Sequence, residues 1–169
     1  ALLGKREDAM LFGRKRNIFL NKIRKEYFTA TGRLALDTVT AQVLALYFNV
    51  VPDKYRFRLA RELNENMIRR NYRITTGFIG TPYLLFALAD NGYMETAGKA
   101  FMNRNFSGWL YEVDMGATTI WEHWNSLKPD GKPSADGMNS YNHYAYGSVM
   151  EFVYRRIAGI ECKEAGFKQ

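Results

Sequence analysis

Two stretches of this chain are apolar on every face, and they limit the fold more than any other feature. Residues 40–48 (TAQVLALYF) and 83–89 (YLLFALA) contain no charged residue. Ala41, Leu44, Ala45 and Leu46 favour helix over strand. A helix that is apolar all round must be buried on most sides. The longest uninterrupted apolar runs, Val43–Phe48 and Tyr83–Ala89, fall far short of the roughly 20 residues that cross a bilayer. No membrane association is expected. The segments around them follow another pattern. Residues 53–70 repeat Tyr55, Leu59, Leu63 and Met67 at steps of four, with Arg and Glu between. Residues 93–103 carry Met94, Ala97 and Phe101, and residues 5–28 carry Ala9, Phe12, Phe19, Ile23 and Tyr27. These are amphipathic helices.

Buried helices alternating with amphipathic ones predict an all-α fold with an inner and an outer layer. Short breaks such as Pro52-Asp53 and Asn91-Gly92 make neighbours antiparallel. The inner helices then run parallel, with their N-terminal ends on one rim. A third inner helix is expected over 139–159, with Asn139-Ser140 as its cap and Tyr144, Gly147, Phe152 and Ile157 within it. Thr81 is the expected N-cap of the second, ahead of Pro82. A closed double ring needs more than three inner helices, so residues 1–160 read as roughly half a ring. Residues 104–138 are irregular, rich in Trp, Gly, Asp and Pro, and belong at the rim; 128–137 within them read as a mobile surface loop. An open ring should leave apolar surface exposed on Val43–Phe48 or Tyr83–Ala89, and self-association is then expected.

At 169 residues the chain is one domain or part of one. Its 15% aromatic content argues against disorder. Cys162 is the single cysteine, which excludes an internal disulfide and a cysteine-only metal site. His123 and His143 are the two histidines, without helical spacing or acidic clustering, so neither a metal nor another cofactor is expected. Lys and Arg outnumber Asp and Glu by 16 to 7 in residues 1–80, and are outnumbered 8 to 10 beyond them. A basic half can meet nucleic acid. Here Arg14, Lys15, Arg16, Lys22, Arg24 and Lys25 share a segment with an apolar stripe, and no phosphate-cradling Gly-rich loop accompanies them. They read as a solvated helix face, and no nucleic-acid partner is expected. The chain starts at Ala1 and reads as a trimmed piece of a longer protein, so its localisation is not legible.

Residues 116–124 (GATTIWEHW) are the densest chemical stretch. Glu122 sits between Trp121 and Trp124; an acid among indoles loses hydration, which suits proton transfer. Indole faces also stack on sugars. The same pattern fits a surface glutamate beside two core tryptophans. Glu112 and Asp114 form a pair of carboxylates, the machinery of glycoside hydrolysis, unless they solvate a loop or cap a helix.

Three ordered blocks carry a family resemblance: residues 75–85 (TTGFIGTPYLL), residues 109–122 (WLYEVDMGATTIWE) and residues 137–147 (GMNSYNHYAYG). From about Gly32 to Ile160 the chain resembles the bacterial α-L-rhamnosidases of glycoside hydrolase family 78. The resemblance implies a partial (α/α)6 barrel and hydrolysis of terminal α-L-rhamnose from glycosides with inversion. It implies Glu122 as general base, activating water, and His143 as a sugar contact. Trp121, Trp124 and Asn142 are added as expected walls of the substrate site.

Two positions depart from the family pattern: Thr38-Val39-Thr40 stands for the usual Thr-Gln-Thr, and His123 for the Arg that follows the base. The family's general acid lies in an upstream Asp-x-Pro-Gln-Arg-type segment that this sequence lacks. Residues 161–169 read as the lead-in to an absent C-terminal β-domain. The expectation is therefore a fragment that needs the remainder of its parent chain and is inactive alone. A non-catalytic helical carbohydrate-binding module is the alternative.

Overall fold

The computed structural model describes residues 3–135, 137–164 and 166. Part of the expected lead-in at 161–169 lies outside them. Seven α-helices form: α1 (Arg6–Tyr27), α2 (Val39–Tyr47), α3 (Asp53–Arg69), α4 (Thr81–Ala89), α5 (Met94–Phe101), α6 (Trp109–Asp114) and α7 (Val149–Phe152). A 3₁₀ turn, Ala145–Ser148, leads into α7, and a π turn, Val153–Ile157, continues it. Among the described residues there is no β-strand, only the isolated bridges Phe28–Leu34 and Leu127–Pro133. No described helix is long and apolar enough to cross a membrane.

The two all-round-apolar segments are the inner layer. Helix α4 packs against α2, α5 and α7 at once, and Leu84, Leu85, Phe86, Ala87 and Leu88 are all buried. Helices α3 and α5 lie outside them, each presenting one apolar face: Leu59, Leu63 and Met67 from α3, Ala97 and Ala100 from α5. Polar pairs tie α3 to the inner helix α2 and to its outer neighbour α5. Asn66 donates to the buried Gln42 side chain at 3.0 Å, and Thr96 bonds Asn64 at 2.5 Å. A buried amide left without such a partner would cost about 1–3 kcal/mol.

The inner helices do run in one direction. At the N-terminal end, a Cβ added to Gly80 would come within 3.1 Å of the Thr40 methyl and 3.0 Å of Thr76. At the other end, Arg56 bonds Asn91 (2.8 Å) and Asn49 (2.7 Å), tying the α2–α3 and α4–α5 turns together. Asp90, after α4, pairs with Arg156 of the π turn at 2.7 Å.

Four expectations change. The third inner helix starts at Ala145, not at Asn139. Residues 139–143 are held against 120–122 instead: Glu122 N donates to Ser140 O (2.9 Å) and His143 N to Ile120 O (2.8 Å). Thr81 is the first residue of α4 and not its cap; its hydroxyl turns back to Thr76, at 2.8 Å from Oγ1 and 3.0 Å from O. The stretch 104–138 contains the helix α6, and 128–132 closes as a tight turn, with Lys128 N donating to Lys132 O and Gly131 N to Lys128 O. Asp136, in the expected loop, lies outside the described residues.

The fourth change concerns exposed apolar surface. Val43–Phe48 and Tyr83–Ala89 are largely buried, with Phe48 the exposed exception. The open apolar face is on α1, which buries no residue: Phe12, Ile18 and Phe19 are each more than half exposed. Its C-terminal end is anchored, because Arg24 donates to the carbonyls of Val50 (2.8 Å) and Val51 (3.2 Å) beyond the end of α2. One basic residue of this segment is thus a structural tie. Gly32, at φ 73°, lets the chain pass under the Tyr55 ring, where a Cβ would sit 2.0 Å from it.

Candidate active site at the inner rim

Three segments meet where the inner helices begin. The first is the 75–80 loop before α4. The second is 117–126, which leaves α6 through Gly116 in a left-handed turn (φ 86°), with Ala117 N returning to Glu112 O at 2.9 Å. The third is 139–146. Trp124 joins two of them, donating its indole N–H to Thr76 O at 3.0 Å. Its ring stacks on Tyr146 at 4.0 Å, and Trp109 donates to Tyr146 O at 2.9 Å. Long-range bonds from buried indoles fix the rim more firmly than loop sequence alone would suggest.

Glu122 sits on this frame with its side chain 13% exposed. One carboxylate oxygen accepts the Ser140 N–H at 2.8 Å. The other faces His123 Nε2 at 3.9 Å. That same Nε2 is 3.1 Å from the carbonyl of Met138, which can only accept, so the ring carries its proton there. The carboxylate is therefore oriented by one backbone donor and has its second oxygen directed toward a ring edge rather than locked into a close ion pair.

His143, on the facing segment, is half-buried. Its Nδ1 accepts the Ala145 N–H at 3.3 Å, which assigns the neutral ring a proton on Nε2. The backbone pairs at 120–122 and 140–143 bring Glu122 and His143 onto the same rim. Asn142 is exposed beside them, its N–H bonded to Ser140 Oγ at 3.2 Å. Trp121 and Trp124 are interior residues, 3% and 8% exposed, with Trp121 set edge-on to Tyr141. They shape the rim from behind.

The Glu112–Asp114 pair does not exist as a pair. Asp114 is at the surface, ion-paired with Arg104. Glu112 is 2% exposed, buried against the Trp121 peptide, whose N–H reaches its Oε2 at 3.4 Å. Its Oε1 has no hydrogen-bond partner among the described residues. Burial pushes this carboxyl up to about 7, partly opposed by the Trp121 N–H. Helix α6 presents Trp109 and Glu112 to the interior together, one helical step apart, and that spacing is the signal that could have marked Glu112 as buried.

Phe78 is a site residue that the sequence does not mark. It sits in the 75–80 loop with its ring parallel to His143 at 4.9 Å. A loop aromatic carries no periodicity to reveal such a role.

A helical double layer with an aromatic, carboxylate-bearing rim at the N-terminal ends of its inner helices is the layout of a helical-hairpin glycosidase domain. The match is specific: the profile of the bacterial alpha-L-rhamnosidase 6 hairpin glycosidase domain covers residues 1–157, and the chain belongs to this family. The match thus extends upstream of Gly32, through α1. An α-L-rhamnosidase from Streptomyces avermitilis is 43% identical over 152 residues, covering 88% of this chain and 15% of that protein. The crystal structure of the Streptomyces avermitilis enzyme complexed with L-rhamnose superposes with a TM-score of 0.90 at 39% identity, over 94% of this chain and 15% of that one. The α-L-rhamnosidase of Aspergillus terreus gives a TM-score of 0.95 at 31% identity, over 98% of this chain and 19% of that one. The chain is thus part of an (α/α)6 barrel, and spans about 15% of the length of the Streptomyces relative.

Proposed function

We propose that this chain forms part of the catalytic domain of an inverting α-L-rhamnosidase, with Glu122 as its general base. Family membership supports the reaction class. The observation that carries the residue assignment is the setting of Glu122: a carboxylate on the rim, held through one oxygen by Ser140 N–H, with the other oxygen left to accept a proton.

In this reading a water beside Glu122 gives up a proton to the carboxylate and attacks the anomeric carbon from the face opposite the leaving group. A second carboxyl, supplied by sequence outside this chain, protonates the departing glycosidic oxygen. Inversion requires the two carboxyls to stand roughly 6.5–9.5 Å apart, with room for that water. Glu112 does not fill the second role, because it is enclosed behind the Trp121 peptide. His143, with Nδ1 satisfied by Ala145, offers its Nε2–H to a sugar hydroxyl. Asn142 lies open on the same segment as a further polar contact, and Trp121 and Trp124 back the substrate wall.

The substrate is a glycoside ending in α-L-rhamnose, and the complete site needs the remainder of the parent chain. The test is turnover of an aryl α-L-rhamnoside. Glu122→Gln in the complete enzyme should lower kcat by about 10²–10⁴-fold, the usual worth of a general base, while binding of rhamnose persists. The isolated 169-residue chain should show no turnover. Near-normal kcat in the Gln variant would defeat the assignment of the base. Parent-like turnover by the isolated chain would defeat the need for a second carboxyl from elsewhere.

A further inference from the structure

We propose that Phe78 is a positioning residue for substrate binding, acting through His143; the inference rests on the rhamnosidase reading above. Four rings stand nearly parallel along the rim: Tyr144, His143, Phe78 and His123. Successive centroids are 5.2, 4.9 and 6.4 Å apart, and the interplanar angles are 7°, 9° and 11°. The rings come from three separate segments, so the column exists only because the loops before α4, after α6 and before α7 are brought together.

Phe78 is the link. It lies between the histidine that contacts sugar in the proposed reaction and the histidine beside the proposed base. Its edge is braced on Tyr146 at 5.4 Å, and Tyr146 is itself fixed by stacking on Trp124 at 4.0 Å. Yet Phe78 is 42% exposed and lies outside the main core.

The geometry around His143 shows what this ring does. Phe78 and Tyr144 both lie nearly parallel to the imidazole, at 4.9 and 5.2 Å. Ala145 N–H takes Nδ1. Among the described residues nothing is hydrogen-bonded to Nε2. Two parallel rings and one backbone donor therefore hold the imidazole, and its Nε2–H edge meets no hydrogen-bond partner among the described residues. Tyr144 is largely exposed and adjoins His143 in sequence, so it moves with the same segment. Phe78 is the side that ties the imidazole to the rest of the fold. Without it the Nε2–H direction is no longer set, and the cost appears when a sugar must be bound.

The test uses the complete enzyme with an aryl α-L-rhamnoside. Phe78→Leu should raise KM about tenfold or more with kcat nearly unchanged, the pattern of lost uniform binding. Phe78→Tyr, which keeps a stacking ring, should restore the parent KM. Adding Phe78→Leu to His143→Ala should raise KM no further, because the ring acts through the histidine. An unchanged KM in Phe78→Leu, or full additivity with His143→Ala, would overturn the proposal. Glu122→Gln is run alongside. If it is inactive while Phe78→Leu is normal, the Phe78 proposal fails alone; if it turns over normally, the underlying base assignment fails.

Discussion

Helices α1 and α4 sit at opposite extremes of the same molecule. The nine-residue α4 has six buried residues and touches nearly every other inner element. The 22-residue α1 has none buried, although its apolar stripe is plain in the sequence. Their difference shows that amphipathicity records a face meant to be covered, whereas burial records what covers it. In α4 both faces are met within this chain. In α1 only the C-terminal end of the stripe finds apolar neighbours among the described residues, where Ile23 and Tyr27 line a shallow groove together with Leu34, Leu44 and Phe48.

The sharpest way to break that contrast is to cut the same residue type from both helices. Phe86→Ala in α4 should cost about 3–5 kcal/mol, because it removes a fully enclosed ring and leaves a cavity. Phe19→Ala in α1 should stay within about 0.5 kcal/mol, as surface changes do. Denaturant unfolding of the two variants measures both. Equal losses would mean that α1 is packed in solution in a way this structure does not contain.

Glu112 sharpens the interior side of the comparison. Its carboxyl is raised from the ordinary 4.5 to about 7 by burial. Below about pH 4.5 both folded and unfolded states hold the proton, and there is no penalty. Between 4.5 and 7 the unfolded state releases it while the folded state keeps it, so stability falls as pH rises; above 7 the full penalty persists. Its size is at most about 3 kcal/mol. Glu112→Gln should match the parent near pH 4 and gain stability over it progressively up to pH 8. Thermal unfolding across that range checks this, and parallel curves would contradict it.

On the α1 side, the open stripe should drive self-association of the 169-residue chain. Phe12→Glu with Phe19→Glu should weaken it at least tenfold, about 1.4 kcal/mol, as read by sedimentation over a concentration series. Association that is unchanged by both substitutions would place the contact elsewhere.

How much of this was legible depended on how local the causes were. Helix α3 follows from Leu59, Leu63 and Met67 at steps of four, and its observed span, Asp53–Arg69, falls one residue short of the expected 53–70. The shared rim followed from alternating layers and short turns. The start of the last helix did not, because Ser140 and His143 pair with residues about twenty positions away. Helix α6 is only six residues long, too short for a periodic signal. At the site, Glu122 and His143 stand out by motif, whereas Phe78 and Glu112 gain their character from tertiary neighbours: parallel rings in one case, burial against the Trp121 peptide in the other.

The central claim is that the carboxylate at 122 takes the proton from the attacking water. Glu122→Ala in the complete enzyme removes that base and opens space for an anion that needs none. Added azide should then restore turnover of an activated aryl α-L-rhamnoside and yield a rhamnosyl azide of inverted configuration, while the unsubstituted enzyme gains nothing. Hydrolysis by Glu122→Ala within a few-fold of the parent rate, with or without azide, would contradict the account.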